Sequence, residues 1–549
     1  MKHIGIFNDK IILTFRFDPA IVATIRKIDG RVWNAKDKRW ELPKENVVEV
    51  LATLVPLGFT ASLDVIKLKE REEKELAAIQ DIKQAKDAKY EGTLPLYDFQ
   101  RKGAMFLKQM PHALLGDVPG LGKTLQTIAA TETDVHVLLF TMNTLKFTTA
   151  DEVKKWIPNE RILVIDGDKK HRAEQWTLHA IKNRVVVANY ELLVHDFDLI
   201  RQHEWHTIVC DEATRISNPD AITTRNLKLL RSHKRVALTG TPISNSPDDI
   251  YSIIDWLVPK YLGTFYQFRD KYCVVDERFN NVIGYKNMDE LSKKVDRFML
   301  RRTKEEVFTD FPPKTIENVV FHLSVDERKL YNSIKEQVLE EIRTLSELDT
   351  RTLGIIPVKM LRLKQCTDHP RLVGIKDEKT CSKLDTLKSL LKPVIDSGEK
   401  AIIFTQFAEM LYILAEELKD YRPVTIYGDV DSVDRMKRVK EFNDDPKPRI
   451  IIMTEAGAYG LNMQSASYVV HYDAPWSIAK LMQREDRAHR IGQNKPVTVY
   501  NLIAKDTIDE YILKVLSRKN KVSVDILKDA ERLGEQGLSK EDIDEILRL

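Results

Sequence analysis

The 549 residues are too many for one ordinary hydrophobic core, and two to four domains are expected. A chain that is 43% hydrophobic and 31% charged, with no low-complexity tract, belongs with folded globular proteins, and no apolar run approaches the ~20 residues of a membrane span. The net charge of +3 neither argues for nucleic acid nor excludes a local basic track. The first ten residues (MKHIGIFNDK) lack the basic, apolar and small-residue order of a secretory signal, so a cytoplasmic protein is expected, nucleoid-associated if its source is bacterial or viral. Cys210, Cys273, Cys366 and Cys381 form no CxxC pair and no zinc-ligand spacing with histidine, which argues against a disulfide framework or structural zinc. Cys210 follows Ile208 and Val209 and reads as a small core residue.

Residues 1–65 predict a small α+β module. Ile11 to Phe17 alternates apolar and polar residues as a strand does, and Asp18-Pro19 opens a helical stretch. Asp29-Gly30 is a hairpin turn signal, followed by Val32-Trp33 and by Arg39 to Leu42 as strand; Val47 to Leu54 reads as a second helix. Residues 66–93 form a charged segment with Leu76, Ile79 and Ile82 at helical spacing and a possible Glu70–Lys74 pair, read as a connecting helix against the alternative of a solvated linker. From 94 to 310, short apolar strands alternate with amphipathic helices: His112 to Leu115, Val135 to Phe140, Ile162 to Ile165, Val185 to Ala188, Thr207 to Cys210 and Arg235 to Leu238. That pattern implies a parallel sheet wrapped by helices. Residues 311–392 read as a charged helical insertion. A second α/β run over 393–520 has strands at Ala401 to Thr405, Val424 to Tyr427, Arg449 to Thr454, Tyr468 to Tyr472 and Val497 to Leu502. Residues 521–549 read as a helical tail with a turn at Gly534 and Gly537.

Four strings carry chemistry. Asp117 to Thr124 (DVPGLGKT) lies between an apolar strand and a helix. Backbone N–H groups of such a glycine-rich turn close around phosphate oxygens at a helix N-terminus; Gly120 and Gly122 would allow the turn, Lys123 would reach the β- and γ-phosphates, and Thr124 would ligate magnesium. The strict pattern has glycine where this chain has Asp117, and the strand–loop–helix setting favours the phosphate loop over a chance match. Asp211-Glu212 ends the apolar run Ile208 to Cys210, where ligands bind in parallel sheets. Asp211 would hold magnesium, and Glu212 would orient and deprotonate the attacking water. Thr239 and Thr241 in Thr239-Gly240-Thr241-Pro242 follow a strand and could couple hydrolysis to motion, although this string also makes an ordinary turn. Gln483 to Gln493 (QREDRAHRIGQ) sets Arg487 and Arg490 three apart, on one helical face. Arginine there suits the charge that grows on a transferring phosphoryl group. A basic solvated helix is the alternative, but it does not explain the pair's place in a second α/β unit. A site split across two units closes on ATP and opens on product release, which turns hydrolysis into motion.

Together these strings resemble the Snf-type, chromatin-remodeller-like branch of the superfamily two ATPases, over roughly residues 94 to 515. Leu96 to Gly103 resembles the adenine-reading segment, with Gln100 in the glutamine position. The family's loop reads DExGLGKT, so Asp117 is expected there as one of the ATP-binding residues, while Val118 and Pro119 depart from it. Asn189 to Glu191, DEAT at 211–214, LTGTPISN at 238–245, FMLRRTK at 298–304, CTDHPRL at 366–372, Ser382-Lys383-Leu384, Phe404 to Phe407, TEAGAYGLN at 454–462 and QREDRAHRIGQ follow in order. The resemblance implies two RecA-like domains, ATP and Mg2+ as ligands, Gly460 and Gln483 as further ATP contacts, and movement along duplex DNA without complete strand separation. It also implies that Lys146, Arg301, Arg302, Lys304 and Trp476 line the DNA track; each could instead be a structural charge or a packed aromatic. Such a track grips phosphates, so binding is expected to be salt-sensitive. The N-terminal module resembles the HARP-like domain of annealing helicases through Ile28 to Trp33 and Lys38 to Pro43. Trp33 and Trp40 would either stack on exposed bases or belong to the core.

The expected function is therefore an ATP-dependent double-stranded DNA translocase, a monomeric motor that anneals or regresses forked or branched DNA. A strand-separating DNA or RNA helicase is the alternative enzyme. A nucleotide-switched binding module without turnover is the alternative of another class, and intact Lys123, Asp211, Glu212, Arg487 and Arg490 argue against it.

Overall fold

A five-stranded sheet forms the N-terminal module: β1 (His3–Phe7), β2 (Lys10–Thr14), β3 (Val32–Asn34), β4 (Arg39–Pro43) and β5 (Thr60–Ala61), in the order β3-β4-β2-β1-β5. The computed structural model describes residues 2–85, 92, 94–132, 134–242, 247–276, 281–308, 311–345, 356–375, 381–430, 432–447, 449–455, 461–514 and 516–517. Gly460, residues 243–245 and 456–459 of the quoted motifs, and the helical tail expected over 521–549 lie outside the described residues. Helices Pro19–Ile25 and Val47–Leu54 cover the sheet and bury Ile21, Ile25, Val47, Val50 and Leu54 against Ile4, Ile11 and Leu13. Asp18 caps the first helix by accepting from the Ala20 N–H at 2.9 Å, and Pro19 fills the position whose N–H needs no partner.

The turn signal at Asp29-Gly30 joins no two strands. The β3–β4 hairpin instead turns through residues 35–38, with Lys38 at a φ of 50°. Asp29 is buried, and its carboxylate accepts from Lys294 at 2.6 Å, Lys271 at 2.9 Å and the Tyr272 hydroxyl at 3.4 Å. Gly30 has a φ of 76°, and a Cβ there would stand 2.6 Å from the Lys260 carbonyl. This loop is a docking knob. A buried carboxylate needs cation partners, which the following unit supplies. The helix Leu63–Gln84 then runs on along that unit, held by Arg297 on Glu72 and by Lys83 on the Asp296 carbonyl at 2.5 Å. Its exposed i, i+4 ion pairs are Lys69–Glu73 and Arg71–Glu75.

The first α/β unit contains β6 (His112–Leu115), β7 (Val137–Thr141), β8 (Ile162–Val164), β9 (Val185–Asn189), β10 (Trp205–Asp211) and β11 (Ser232–Leu238). A hairpin of β12 (Cys273–Asp276) and β13 (Asn281–Tyr285) follows, and then a two-residue strand β14 (Met299–Leu300). The parallel sheet has the order β14-β6-β11-β10-β7-β9-β8. Near-continuous apolar runs such as VLLFT in β7 and VVVAN in β9 are fully buried, as strands covered on both faces by helices must be.

The second unit's parallel sheet has the order β15-β20-β19-β16-β18-β17, built from β15 (Lys314–Phe321), β16 (Ala401–Thr405), β17 (Val424–Ile426), β18 (Ile450–Thr454), β19 (Tyr468–His471) and β20 (Val497–Ala504). β15 adds a strand to the mainly helical segment expected over 311–392, and it pairs with β20 along its whole length, Lys314 opposite Val497 through Phe321 opposite Ala504. The helices that follow also belong to this unit. Val325–Leu345 and Ile356–Asp368 pack on Ile508, Tyr511 and Ile512, and Ser382–Asp396 adds Leu384, Leu387 and Leu391 to the sheet's core. Lys383, fully buried, ties these pieces together through Asp368 at 2.8 Å and Asp509 at 2.9 Å. Among the described residues no helix is long and apolar enough to cross a membrane.

Candidate nucleotide site

β6 ends at Leu115, and the chain turns through residues 116–122 into the helix Lys123–Ala130. The turn needs left-handed backbone at Gly120 (φ 91°) and Gly122 (φ 73°). Lys123 projects back over the loop, and its Nζ donates to the Asp117 carbonyl at 2.9 Å. Thr124 follows it, half-buried, in the first turn of the helix. Gln100 is buried beside the loop; its side-chain oxygen accepts from the Tyr97 N–H at 3.1 Å and its Nε2 donates to the Leu121 carbonyl at 3.2 Å. The glutamine segment and the phosphate loop thus move as one piece. Asp117 is fully buried and is a structural carboxylate, bound by Arg302 Nη2 at 2.5 Å, Arg302 Nε at 3.0 Å and Gln126 Nε2 at 3.0 Å.

Asp211 stands at the carboxyl end of β10, flanked by β7 and β11. Its Oδ1 accepts from the Glu212 N–H at 3.1 Å and its Oδ2 from the Thr141 hydroxyl at 3.3 Å. Burial, and then the neighbouring Glu212 charge, push its carboxyl up to about 7. A carboxylate so short of positive charge fits a divalent cation, which would drive the proton off. Among the described residues no cluster of three His, Cys, Asp or Glu is placed to cage a metal alone. Glu212 adopts a φ of 53°, unusual for a residue with a side chain, and points the chain out of the sheet into the turn Ala213–Ile216. Thr239 and Thr241 are buried just beyond β11, and the Thr239 hydroxyl accepts from the Thr241 N–H at 3.1 Å. A Cβ on Gly240 between them would come within 2.5 Å of Pro119, so this turn rests directly on the phosphate loop.

The second unit meets the same loop. A Cβ on Gly120 would lie 3.0 Å from Arg490 Cβ. Arg490 Nη1 donates to Asn462 Oδ1, while Arg487 Nη1 donates to the Leu461 carbonyl at 3.3 Å. Burial pushes the Arg490 guanidinium below its ordinary value, and Glu152 and Asp486 pull it back. Arg487 and Arg490 do not share a helical face: the helix Ile478–Glu485, which carries half-buried Gln483, ends before them. Contacts to His489 hold the following residues in turns, its Nε2 donating to the Pro312 carbonyl at 2.9 Å and its own carbonyl accepting from Lys304.

A SNF2-related domain is matched over residues 99–372, and a helicase conserved C-terminal domain over residues 382–492. The chain belongs to the SNF2-related family of superfamily two helicases. An uncharacterized ATP-dependent helicase of Mycoplasma genitalium is 30% identical over 78% of this chain and 42% of its own length. The ISWI chromatin-remodeling complex ATPase of Saccharomyces cerevisiae is 30% identical over 74% of this chain and 38% of its own. The chain spans less than half the length of these two curated relatives. The Sulfolobus solfataricus SWI2/SNF2 ATPase core, solved in complex with double-stranded DNA, is 28% identical over 81% of this chain and 95% of that one, with a TM-score of 0.39.

Within this SNF2-related chain, four basic residues expected on the DNA track are instead engaged inside the protein. Lys146 is buried, its Nζ 2.5 Å from Asp166 Oδ1. Arg301 Nη1 donates to the Gly116 and Gly240 carbonyls at 3.0 and 3.1 Å, joining the phosphate loop to the threonine turn. Arg302 holds Asp117 and the Phe99 carbonyl, and Lys304 is buried on Asp486. Trp476 is half-buried against the helical cluster around Tyr331 and Ile512. The cause is tertiary in each case: a carboxylate or carbonyl brought close by the fold claims the cation, for Lys146 the buried Ile165 carbonyl at 3.3 Å as well as the half-exposed Asp166. Arg302→Ala is therefore expected to destabilise the first unit by about 3–5 kcal/mol, since it strands a buried carboxylate. The check is a fall in melting temperature together with loss of nucleotide binding; a variant that melts like wild type and loses only duplex affinity would restore the track assignment. Glu152, in the helix Lys146–Trp156, had no signal in the sequence. Burial pushes its carboxyl up, and the charge of Arg490 from the second unit acts against that.

Proposed function

We propose that this chain is an ATP-dependent double-stranded DNA translocase that anneals or regresses forked or branched DNA, a monomeric motor using ATP and Mg2+. The observation that carries the hydrolytic part is the split site: Lys123, Asp211 and Glu212 on one unit, with Arg490 of the other against Gly120. Magnesium on Thr124 and Asp211 would neutralise charge on the β- and γ-phosphates. Glu212 would take a proton from the attacking water, and Arg487 and Arg490 would meet the charge growing on the transferred phosphoryl group. Because Arg490 comes from the second unit, the rate depends on how the units sit, which is how turnover becomes movement. Duplex DNA as the track rests on SNF2-related family membership. The test is ATP turnover without nucleic acid and with single-stranded DNA, blunt duplex, forked duplex and RNA, with Lys123→Ala as the blank. Stimulation by duplex, and more by fork, is expected; stimulation mainly by single strands or RNA would replace the translocase with a strand-separating helicase.

The preference for forks rests on the N-terminal module. Trp33 lies on the edge strand β3, 48% exposed, its ring 5.3 Å from that of Trp40, which is half-buried on the module's core. Trp33 is thus the ring placed to stack on a base, and Trp40 supports it. Trp33→Ala is expected to weaken fork binding by about tenfold, within the range of one lost base stack, and to spare turnover without DNA. Equal fork affinity in wild type and variant would remove the module from substrate choice. A point variant is cleaner than deleting residues 1–65, which would leave Lys271 and Lys294 without Asp29.

A further inference from the structure

We propose that Lys304 is a positioning residue for the arginine pair: it reaches from the first unit into the second, occupies the Asp486 carboxylate and the His489 carbonyl, and so leaves Arg490 available to the phosphate site. This rests on the reading of the site as one that hydrolyses ATP.

The base of Lys304 is anchored. It follows Arg302, fixed on Asp117, and opens the short helix Lys304–Val307, which Thr303 caps by accepting from the Glu306 N–H at 3.3 Å. Its side chain passes the phosphate loop, with Cε 3.7 Å from where a Gly120 Cβ would stand, and ends buried between Asp486 and His489 of the other unit. An ammonium is not buried there without a partner. The same strap makes further contacts with this stretch. The Phe311 ring is 4.6 Å from that of His489, the Pro312 carbonyl accepts from His489, and Lys314 lies 2.6 Å from Glu485. Val307 and Phe308 also pack with Phe99 and Leu121 of the first unit and Ile491 of the second.

Asp486 is the consequential partner. It precedes Arg490 by four residues, and its charge, after that of Glu152, acts on the Arg490 guanidinium. The Arg490 Nε has no hydrogen-bond partner among the described residues. Without Lys304, a nearly buried carboxylate would be left without its cation, and Arg490 is an arginine already within its field. Capture by Asp486 would turn the guanidinium away from the phosphate. Lys304 therefore works by removing a competitor as much as by pinning the backbone.

The experiment measures ATP turnover at saturating duplex DNA, with nucleotide affinity and melting temperature, for the full chain and for Lys304→Met, Lys304→Arg, Asp486→Asn and the double variant Lys304→Met/Asp486→Asn. Lys304→Met is expected to lower kcat by about tenfold or more with nucleotide affinity little changed, since a misplaced catalytic group costs rate and not binding. Lys304→Arg keeps the charge and is expected to keep most of the rate. The double variant is expected to regain much of what Lys304→Met loses, because the capturing carboxylate is gone. A double variant no faster than Lys304→Met would overturn the proposal, as would a folded Lys304→Arg as slow as Lys304→Met. So would a Lys304→Met chain that keeps its kcat and loses duplex affinity, which would make Lys304 a track contact after all. Wild-type turnover no higher than that of Lys123→Ala would instead sink the hydrolytic reading of the site, and this inference with it.

Discussion

Glu212→Gln is expected to keep ATP binding and to lose about 10²- to 10⁴-fold in turnover, the usual worth of a general base. The substitution keeps the shape of the side chain and takes away its basicity. Glu212 sits one residue past the carboxyl end of β10, and the backbone there is fixed on both sides, by its own N–H on Asp211 at 3.1 Å and by its carbonyl accepting from Arg215 at 3.0 Å. Its positive φ costs on the order of 1–2 kcal/mol for a residue with a Cβ. Such a conformation persists where the surroundings over-determine it, and functional sites are where it collects. On the proposed assignment Asp211 would still hold magnesium, so metal and nucleotide binding are expected to survive. Turnover by Glu212→Gln above about a tenth of wild type would remove it as the base, given what a positioned base contributes.

The candidate nucleotide site was legible as a pattern because that pattern is local. The phosphate loop needs glycine, lysine and threonine at fixed spacing after a strand, and Asp211-Glu212 needs only to end one. The two parallel sheets were legible for a related reason, since strands buried on both faces spell apolar runs such as AIIFT in β16 and IIIMT in β18. β15 escaped because it is an edge strand whose residues are mostly exposed, so KTIENVVF carries little apolar pattern. β14, with two residues, is too short to show any periodicity. The basic residues show a different limit. Their charge is visible in sequence, but their partners are not: Arg302 and Asp117 are 185 positions apart, and Lys304 and Asp486 are 182. Whether a lysine grips DNA or a buried aspartate depends on contacts that only the folded chain creates. The Asp29-Gly30 string misled for the same reason. Its residue types suit a turn, and the fold uses that turn to dock one unit on another.

Arg490→Ala is expected to lower turnover by about 10³-fold or more and to leave ATP affinity nearly intact, as removal of an arginine that acts only on transferring charge should. Alanine keeps the Cβ that packs over Gly120, so the contact between the units survives and only the guanidinium is lost. The Arg490 guanidinium bonds Asn462 of its own unit through Nη1. Arg487 is likewise tied to its own unit, its Nη1 donating to the Leu461 carbonyl at 3.3 Å. Lys123→Ala is expected to give the contrasting result, with nucleotide affinity and turnover falling together, because on the proposed reading Lys123 would serve the ground state as well as the transition state. The deciding measurement is the affinity of a slowly hydrolysed ATP analogue for Arg490→Ala beside its kcat. Affinity that falls with kcat would place Arg490 in the binding of nucleotide and leave the transition state without its partner from the second unit. Affinity that holds while kcat collapses would mean that Arg490 supplies rate alone, which is what a motor needs if closure is to time hydrolysis.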